Sequence, residues 1–377
     1  MRRVMTLVGT RPELIKMSRV IAELDRQTEQ ILVHSGQNYD FELNQVFFED
    51  LGIRKPDYFL DAARDTPART IGEVIAATDE LLARVEPEAL LLYGDTNTGL
   101  AVIAAKRRKV PVFHMEAGNR CFDERVPEEL NRKVLDHLSD INLVLSEHAR
   151  RYLIAEGIRS ETIVKTGSHM PEVLAHARDR IAASEVLSRL GLRRGGYFLV
   201  SAHREETVDE PRRLAALVES LRALSAAWKM PTIVSTHPRT RRRLEALGVV
   251  DDAATLRFLP PFGFSDYVRL QLDATCVLSD SGTITEEASL LDLPAVMLRD
   301  AHERPEGMDV GAVLMSGIER DAVLDAVRVV TSQRRPEGRT TRIVPDYDSP
   351  LVSVQVVRVV LSYIDYVNRT VWRRGYA

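Results

Sequence analysis

Thr275-Cys276-Val277-Leu278-Ser279-Asp280-Ser281-Gly282-Thr283-Ile284-Thr285-Glu286-Glu287-Ala288 reads as an apolar strand that stops in a turn of small residues and restarts as a helix. A junction of this kind points backbone N–H groups and a helix N-terminus at one spot, which suits a phosphate. A second junction of similar design opens the chain: Val4-Met5-Thr6-Leu7-Val8 runs into Gly9-Thr10-Arg11-Pro12-Glu13 and then a helix with Lys16 one turn in. Two such junctions, far apart in sequence, imply a ligand held between two halves.

Between and around them, apolar runs alternate with helical periodicity, the pattern of parallel α/β sheets. Strands are expected at 4–8, 30–34, 89–93, 110–114, 141–145 and 162–165. After the turn-like Arg193-Arg194-Gly195-Gly196 the cycle restarts, with strands expected at 197–201, 232–235, 256–259, 275–279 and 295–298. The fold class is therefore α/β, with two doubly wound domains facing a central cleft: an N-terminal domain over 1–170 and a C-terminal domain over 191–350. Residues 351–377 form a helix expected to pack back across the junction. Open sheets of this kind bind ligands outside the carboxyl ends of their strands, and the motifs fall at those ends.

The bulk numbers agree with a two-domain enzyme. At 377 residues the chain exceeds the size at which single cores stop growing. Lys and Arg number 51 against 55 Asp and Glu, so no global charge steers the chain to nucleic acid. Two cysteines, Cys121 and Cys276, make neither a disulfide framework nor a metal-ligand spacing, and a reducing cytoplasm is the simpler setting. No apolar run approaches the roughly 20 residues of a membrane span, so no membrane partner is expected. No metal motif such as H-E-x-x-H occurs, and the Gly9 turn is not G-x-G-x-x-G, which argues against a nicotinamide cofactor.

Several residues at the strand ends have two readings. Arg11 and Lys16 flank a helix start, either to contact an anionic substrate or as solvated cations on an ordinary helix. Asp95, in Gly94-Asp95-Thr96, either caps the next helix or acts in proton transfer. Glu116, in His114-Met115-Glu116-Ala117-Gly118, ends an apolar strand. Two carboxylates on adjacent strand ends are expected to converge, raising one pKa by mutual repulsion and so yielding a general acid or base near neutrality. Glu128, Arg132 and Asp136 share one helix face at i, i+4 spacing, either as a surface salt-bridge ladder or as a row reaching the cleft. His203 follows the 197–201 strand and is either structural, a phosphate ligand or a proton donor to a leaving group. His237 reads as structural, and the basic clusters 106–109 and 239–243 as solvated surface.

These motifs, in order, resemble one family. Gly9-Thr10-Arg11-Pro12-Glu13 with Lys16, Gly94-Asp95-Thr96, His114-Met115-Glu116-Ala117-Gly118, Pro127-Glu128-Glu129 with Asn131-Arg132, His203-Arg204, Asp280-Ser281-Gly282 with Glu286-Glu287, and Glu303-Arg304-Pro305-Glu306 look like the non-hydrolysing UDP-N-acetylglucosamine 2-epimerases. The resemblance implies a glycosyltransferase-B-like pair of Rossmann-like domains and an isomerase interconverting UDP-N-acetylglucosamine and UDP-N-acetylmannosamine by elimination and re-addition of UDP. It implies no cofactor, and a homodimer. By position it makes Asp95, Glu116 and Glu128 the acid/base carboxylates, with Arg132 and His203 at the reacting end. Arg11, Lys16, Ser281, Gly282, Thr283 and Arg304 match substrate and diphosphate contacts. Glu287 matches the ribose contact, and the 261–267 segment, with Phe262 and Tyr267, the uracil site.

Some positions depart from the family pattern. Thr283 stands where many members have a second glycine, Phe262 where some have glutamine, and Glu205 where many have a further arginine after the His-Arg pair. Gln37-Asn38-Tyr39-Asp40 differs from the Gln-His-Arg stretch beside the allosteric site of typical bacterial members, which speaks against allosteric activation. The 119–127 loop and the 362–372 tail are similar to the branch that makes UDP-N-acetyl-L-fucosamine from its 6-deoxy-L-talose isomer. A hydrolysing relative, which would release N-acetylmannosamine and UDP, is a further alternative.

Overall fold

Val4, Met5, Leu7 and Val8 are each no more than 1% exposed, as a strand covered on both faces requires. They lie in β1 (Arg3–Val8) of a computed structural model that describes residues 1–36, 48, 51–249, 251–252, 255–335 and 337–374. The 37–40 stretch lies outside the described residues.

β1 is an interior strand of a seven-stranded parallel sheet with β2 (Glu29–His34), β3 (Tyr58–Phe59), β4 (Ala89–Tyr93), β5 (Val112–Ala117), β6 (Ile141–Val144) and β7 (Ile163–Lys165), in the order β3-β2-β1-β4-β5-β6-β7. A six-stranded parallel sheet follows, made of β8 (Phe198–Ser201), β9 (Thr232–Ser235), β10 (Leu256–Leu259), β11 (Cys276–Ser279), β12 (Ala295–Met297) and β13 (Leu314–Met315), in the order β10-β9-β8-β11-β12-β13. Both are doubly wound, so each has a point where the strand order reverses: between β1 and β4 in one, between β8 and β11 in the other.

The chain divides into two compact units, Met1–His176 with Asp346–Ala377, and Ala177–Pro345. The C-terminal helix Val352–Thr370 belongs to the first unit, where Val356, Val360 and Ile364 are fully buried. In the second unit, Phe198, Val200, Cys276, Leu278 and Val296 carry one face of the sheet and Tyr197, Leu199 and Val277 the other.

The apolar runs found in the sequence correspond to strands, with two differences. The run expected at 110–114 is a strand at Val112–Ala117, which continues through Glu116 and breaks register against β6 between Met115 and Ala117. Glu116 sits at φ 64°, the left-handed region, which costs a non-glycine residue on the order of 1–3 kcal/mol. The short edge strands β3 and β13 were not expected, because two paired residues leave no apolar run to read.

Candidate active site

In the first unit the site begins where β1 ends. Gly9 is required by space: a Cβ there would lie 2.0 Å from Thr98 Oγ1 and 2.3 Å from Ser35 Oγ. The helix Arg11–Gln27 starts with Pro12 in its first turn and a reach-back by Glu13. Glu13 Oε2 accepts the N–H groups of Gly9 at 2.5 Å and Thr10 at 3.3 Å, while Oε1 accepts the Thr96 hydroxyl at 2.6 Å. Burial pushes this carboxyl up to about 7 against those hydrogen bonds. Glu13 thus ties the β1 turn to the β4 turn at the reversal of strand order. Arg11 is half-buried at the first helical position.

Lys16, one turn on, is 3% exposed, and its Nζ lies 3.2 Å from Glu116 Oε2. The other oxygen of Glu116 accepts Asn119 Nδ2 at 3.2 Å. Asp95 Oδ2 accepts Arg132 Nε at 2.8 Å, and the Asp95 carbonyl accepts Asn131 Nδ2 at 2.9 Å. Each of the two carboxylates is therefore held by a cation, Glu116 by Lys16 and Asp95 by Arg132. A close cation is the more economical way to hold a partly buried carboxylate.

Glu128 and Arg132 lie on the helix Pro127–Leu138, where Glu128 is half-buried and Arg132 is 2% exposed. The i, i+4 reading missed Glu129, whose fully buried carboxylate accepts Arg132 Nη1 at 2.8 Å. It also missed a layer beneath. Asp136 bonds His114 Nδ1 at 2.9 Å and Arg120 Nη1 at 2.7 Å, and His114 Nε2 lies 2.7 Å from the Gly94 carbonyl. Burial pushes the Asp136 carboxyl up, but His114 and Arg120 outweigh it and hold the group below its ordinary range. This network joins the Gly94-Asp95 turn to the 116–118 bulge, where Gly118 N–H also donates to Asp136.

In the second unit the strand-order reversal brings β8 and β11 side by side. The fully buried Asp280 Oδ2 accepts the N–H groups of His203 at 2.8 Å and Arg204 at 2.9 Å, and Oδ1 lies 3.3 Å from His203 Nδ1. Sequence reasoning gives Asp280 no role, although its position right after an apolar strand is a signal for one. The 279–283 turn leads into the helix Thr283–Leu291, with Ser281 Oγ and Thr283 Oγ1 3.0 Å apart. Gly282 admits the buried Glu303, since a Cβ there would lie 2.6 Å from Glu303 Oε2. Glu303 accepts Arg299 Nη1 at 2.7 Å and Arg204 Nη2 at 3.1 Å, and the buried Arg304 pairs with Glu286 at 3.1 Å. Arginines and the first-turn N–H groups of a helix gathered at one strand end suit a diphosphate.

Glu287, on the same helix, accepts Gln271 Nε2 at 2.6 Å, a partner that sequence spacing does not suggest. Phe262 and Tyr267 pack against one face of the second core, and burial pushes the Tyr267 hydroxyl up. His237 caps the helix Pro238–Ala246, accepting the Arg239 N–H. Both basic clusters meet carboxylates: Lys106 pairs with Asp140, Arg108 with Asp79, and Arg239 and Arg243 with Asp209. Among the described residues, no three His, Cys, Asp or Glu side chains gather as a metal site, and no helix is long and apolar enough to cross a membrane.

The sequence profile of the UDP-N-acetylglucosamine 2-epimerases matches residues 22–361. The chain belongs to this family. A solved UDP-N-acetylglucosamine 2-epimerase from Rickettsia bellii is 55% identical, covers 99% of this chain and 100% of its own, and superposes with a TM-score of 0.92. The Methanocaldococcus jannaschii UDP-GlcNAc 2-epimerase, solved in complex with UDP-GlcNAc and UDP, is 29% identical over 96% of this chain and 99% of its own, with a TM-score of 0.88. A UDP-2,3-diacetamido-2,3-dideoxy-D-glucuronate 2-epimerase from Pseudomonas aeruginosa is 35% identical over 86% of this chain and 91% of its own. Membership in this epimerase family makes the chain an isomerase, and its two Rossmann-like sheets are those of the glycosyltransferase-B-like class.

Proposed function

We propose that this enzyme inverts carbon 2 of a UDP-2-acetamido sugar, converting UDP-GlcNAc to UDP-ManNAc. A carboxylate takes the proton from carbon 2, the C1–O bond breaks with its electron pair leaving on UDP, and a C1=C2 glycal remains. A proton then reaches the opposite face of carbon 2 as the same UDP oxygen re-forms the bond to carbon 1. The observation that carries this reading is the pair of anchored carboxylates, Glu116 on Lys16 and Asp95 on Arg132, at adjacent strand ends of one unit. Elimination and re-addition on two faces needs at least two such groups.

In this reading the first unit supplies proton transfer, through Asp95, Glu116 and Glu128, with Arg132 beside them. The second holds the nucleotide: Ser281, Gly282, Thr283 and Arg304 take the diphosphate, Glu287 the ribose hydroxyls, and Phe262 and Tyr267 the uracil. Arg11 and Lys16 contact the substrate from the first unit, and His203 faces the departing phosphate. The relatives named for UDP-GlcNAc support this sugar; the family resemblance supports a homodimer, and the two lone cysteines a reducing cytoplasmic setting.

Incubation with UDP-GlcNAc, followed by NMR identification of the products, tests the proposal. UDP-ManNAc in equilibrium with UDP-GlcNAc is the expected outcome. Free ManNAc with UDP would replace re-addition by hydrolysis. Turnover confined to the 6-deoxy-L-talose substrate would move the sugar assignment to the L-fucosamine branch.

A further inference from the structure

We infer that Glu129 is a positioning residue for proton transfer, acting through Arg132 on Asp95. The inference rests on the proposed role of Asp95. Cys121 and Phe122 turn two successive N–H groups toward one point, with Phe122 at φ 56°, and Glu129 fills that point: Oε2 accepts the Cys121 N–H at 3.0 Å and Oε1 the Phe122 N–H at 3.2 Å. Successive amides in such a turn form an anion-binding concavity. Here the anion is the chain's own side chain.

The same Oε2 accepts Arg132 Nη1 at 2.8 Å, three residues along the helix. Arg132 is thereby held at two different nitrogens by two different carboxylates, Nη1 by Glu129 and Nε by Asp95. A guanidinium is planar, so fixing both nitrogens fixes the plane in which Nε–H points. Asn131 completes the clamp by holding the Asp95 carbonyl and Asn97 Oδ1 at 3.1 Å. Glu129 is itself fully buried and hydrogen-bonds none of the proposed reacting carboxylates, so its influence runs through the arginine.

The isosteric Glu129→Gln keeps the volume but removes the charge that pairs with Arg132 and turns a donor amide either toward the Phe122 N–H or toward the Cys121 N–H and the guanidinium together. On the proposed activity we expect kcat to fall at least tenfold with KM unchanged within about twofold. Against Arg132→Gln, the double variant is expected to be no slower than the arginine variant alone, because both act through one contact. Independent, multiplying losses, or an unchanged kcat in a folded Glu129→Gln protein, would overturn the inference.

Two readouts do not depend on activity. A crystal structure of Glu129→Gln should show Arg132 Nε withdrawn from Asp95, and an intact contact would contradict us. In the wild-type protein, which bypasses any folding failure of the variant, Arg132 should give separate Nη proton signals in NMR, and a single averaged guanidinium signal would refute the double anchorage. Wild-type inactivity on every nucleotide sugar would defeat the proposed function, while these two readouts still decide the role of Glu129.

Discussion

Lys16 Nζ stands 3.2 Å from Glu116 Oε2, joining residues a hundred positions apart. The lysine side chain is 4% exposed and the glutamate 14%, so the pair is largely withdrawn from water. Removing one member of a buried pair leaves an uncompensated charge and costs about 3–5 kcal/mol, whereas removing both is far milder. Urea denaturation should therefore find Lys16→Met less stable than the double variant Lys16→Met, Glu116→Gln, with both inactive. A single variant as stable as wild type would show that the pair is not closed in solution.

Glu13 gives a pH dependence of known sign. Its carboxyl is raised from 4.5 to about 7 in the folded protein, so the folded state holds the proton more tightly. Its contribution is fully present below about pH 4.5 and is lost as pH rises to about 7, on the order of 3 kcal/mol. His34 works in the opposite sense, since burial lowers it from 6.5 to about 4 and its contribution is lost as pH falls through that window. The wild-type curve therefore hides both. The stability difference between wild type and Glu13→Gln, measured at pH 4.5 and pH 7.5, should favour wild type at the lower value. A pH-independent difference would refute the buried titration.

The backbone of the second unit should separate turnover from folding. His203 has a 44% exposed side chain, while Asp280, which holds its N–H and that of Arg204, is fully buried. His203→Ala is expected to leave the melting temperature unchanged and reduce turnover by about a hundredfold, within the range for a group that stabilises charge developing on a leaving phosphate. Asp280→Ala strands two part-buried backbone donors, and should lower stability by up to about 1–3 kcal/mol in all and weaken UDP binding in calorimetry. Equal stability of the two variants would contradict this division.

Two glycines mark close approaches. Gly9→Ala must displace Thr98 and Ser35, and Gly282→Ala must displace the buried Glu303 carboxylate. Overpacking of this kind costs about 1–3 kcal/mol. Gly9→Ala should raise protease susceptibility of the first unit, and Gly282→Ala should weaken UDP affinity at least tenfold. Wild-type behaviour in both would mean that the turns relax freely.

The strands were readable in sequence because a parallel sheet covered on both faces needs continuous apolar runs such as Ala89–Tyr93. The strand ends followed, and with them Asp95, Glu116, His203 and Ser281. What joins them was harder to see. Pro127-Glu128-Glu129 offers two acids, and helical spacing points to Glu128 for Arg132; that Glu129 also meets the arginine depends on the fold of the 119–122 loop, which spacing does not reveal. Glu13 did carry a signal, the Thr10-x-x-Glu13 capping pattern, but its bond to Thr96 spans 83 positions and depends on β1 lying beside β4. His114 could be seen only as a residue of an apolar strand, since its partners Asp136 and Gly94 come from a helix and another strand end.

The most direct test of the account is deuterium exchange at carbon 2. In deuterated water with UDP-GlcNAc, the wild-type enzyme should place deuterium at carbon 2 of both recovered substrate and UDP-ManNAc, and Asp95→Asn and Glu116→Gln should each slow that labelling by more than about a hundredfold. Product formed without label at carbon 2, or labelling undiminished in both variants, would contradict the assignment of proton transfer to these two carboxylates.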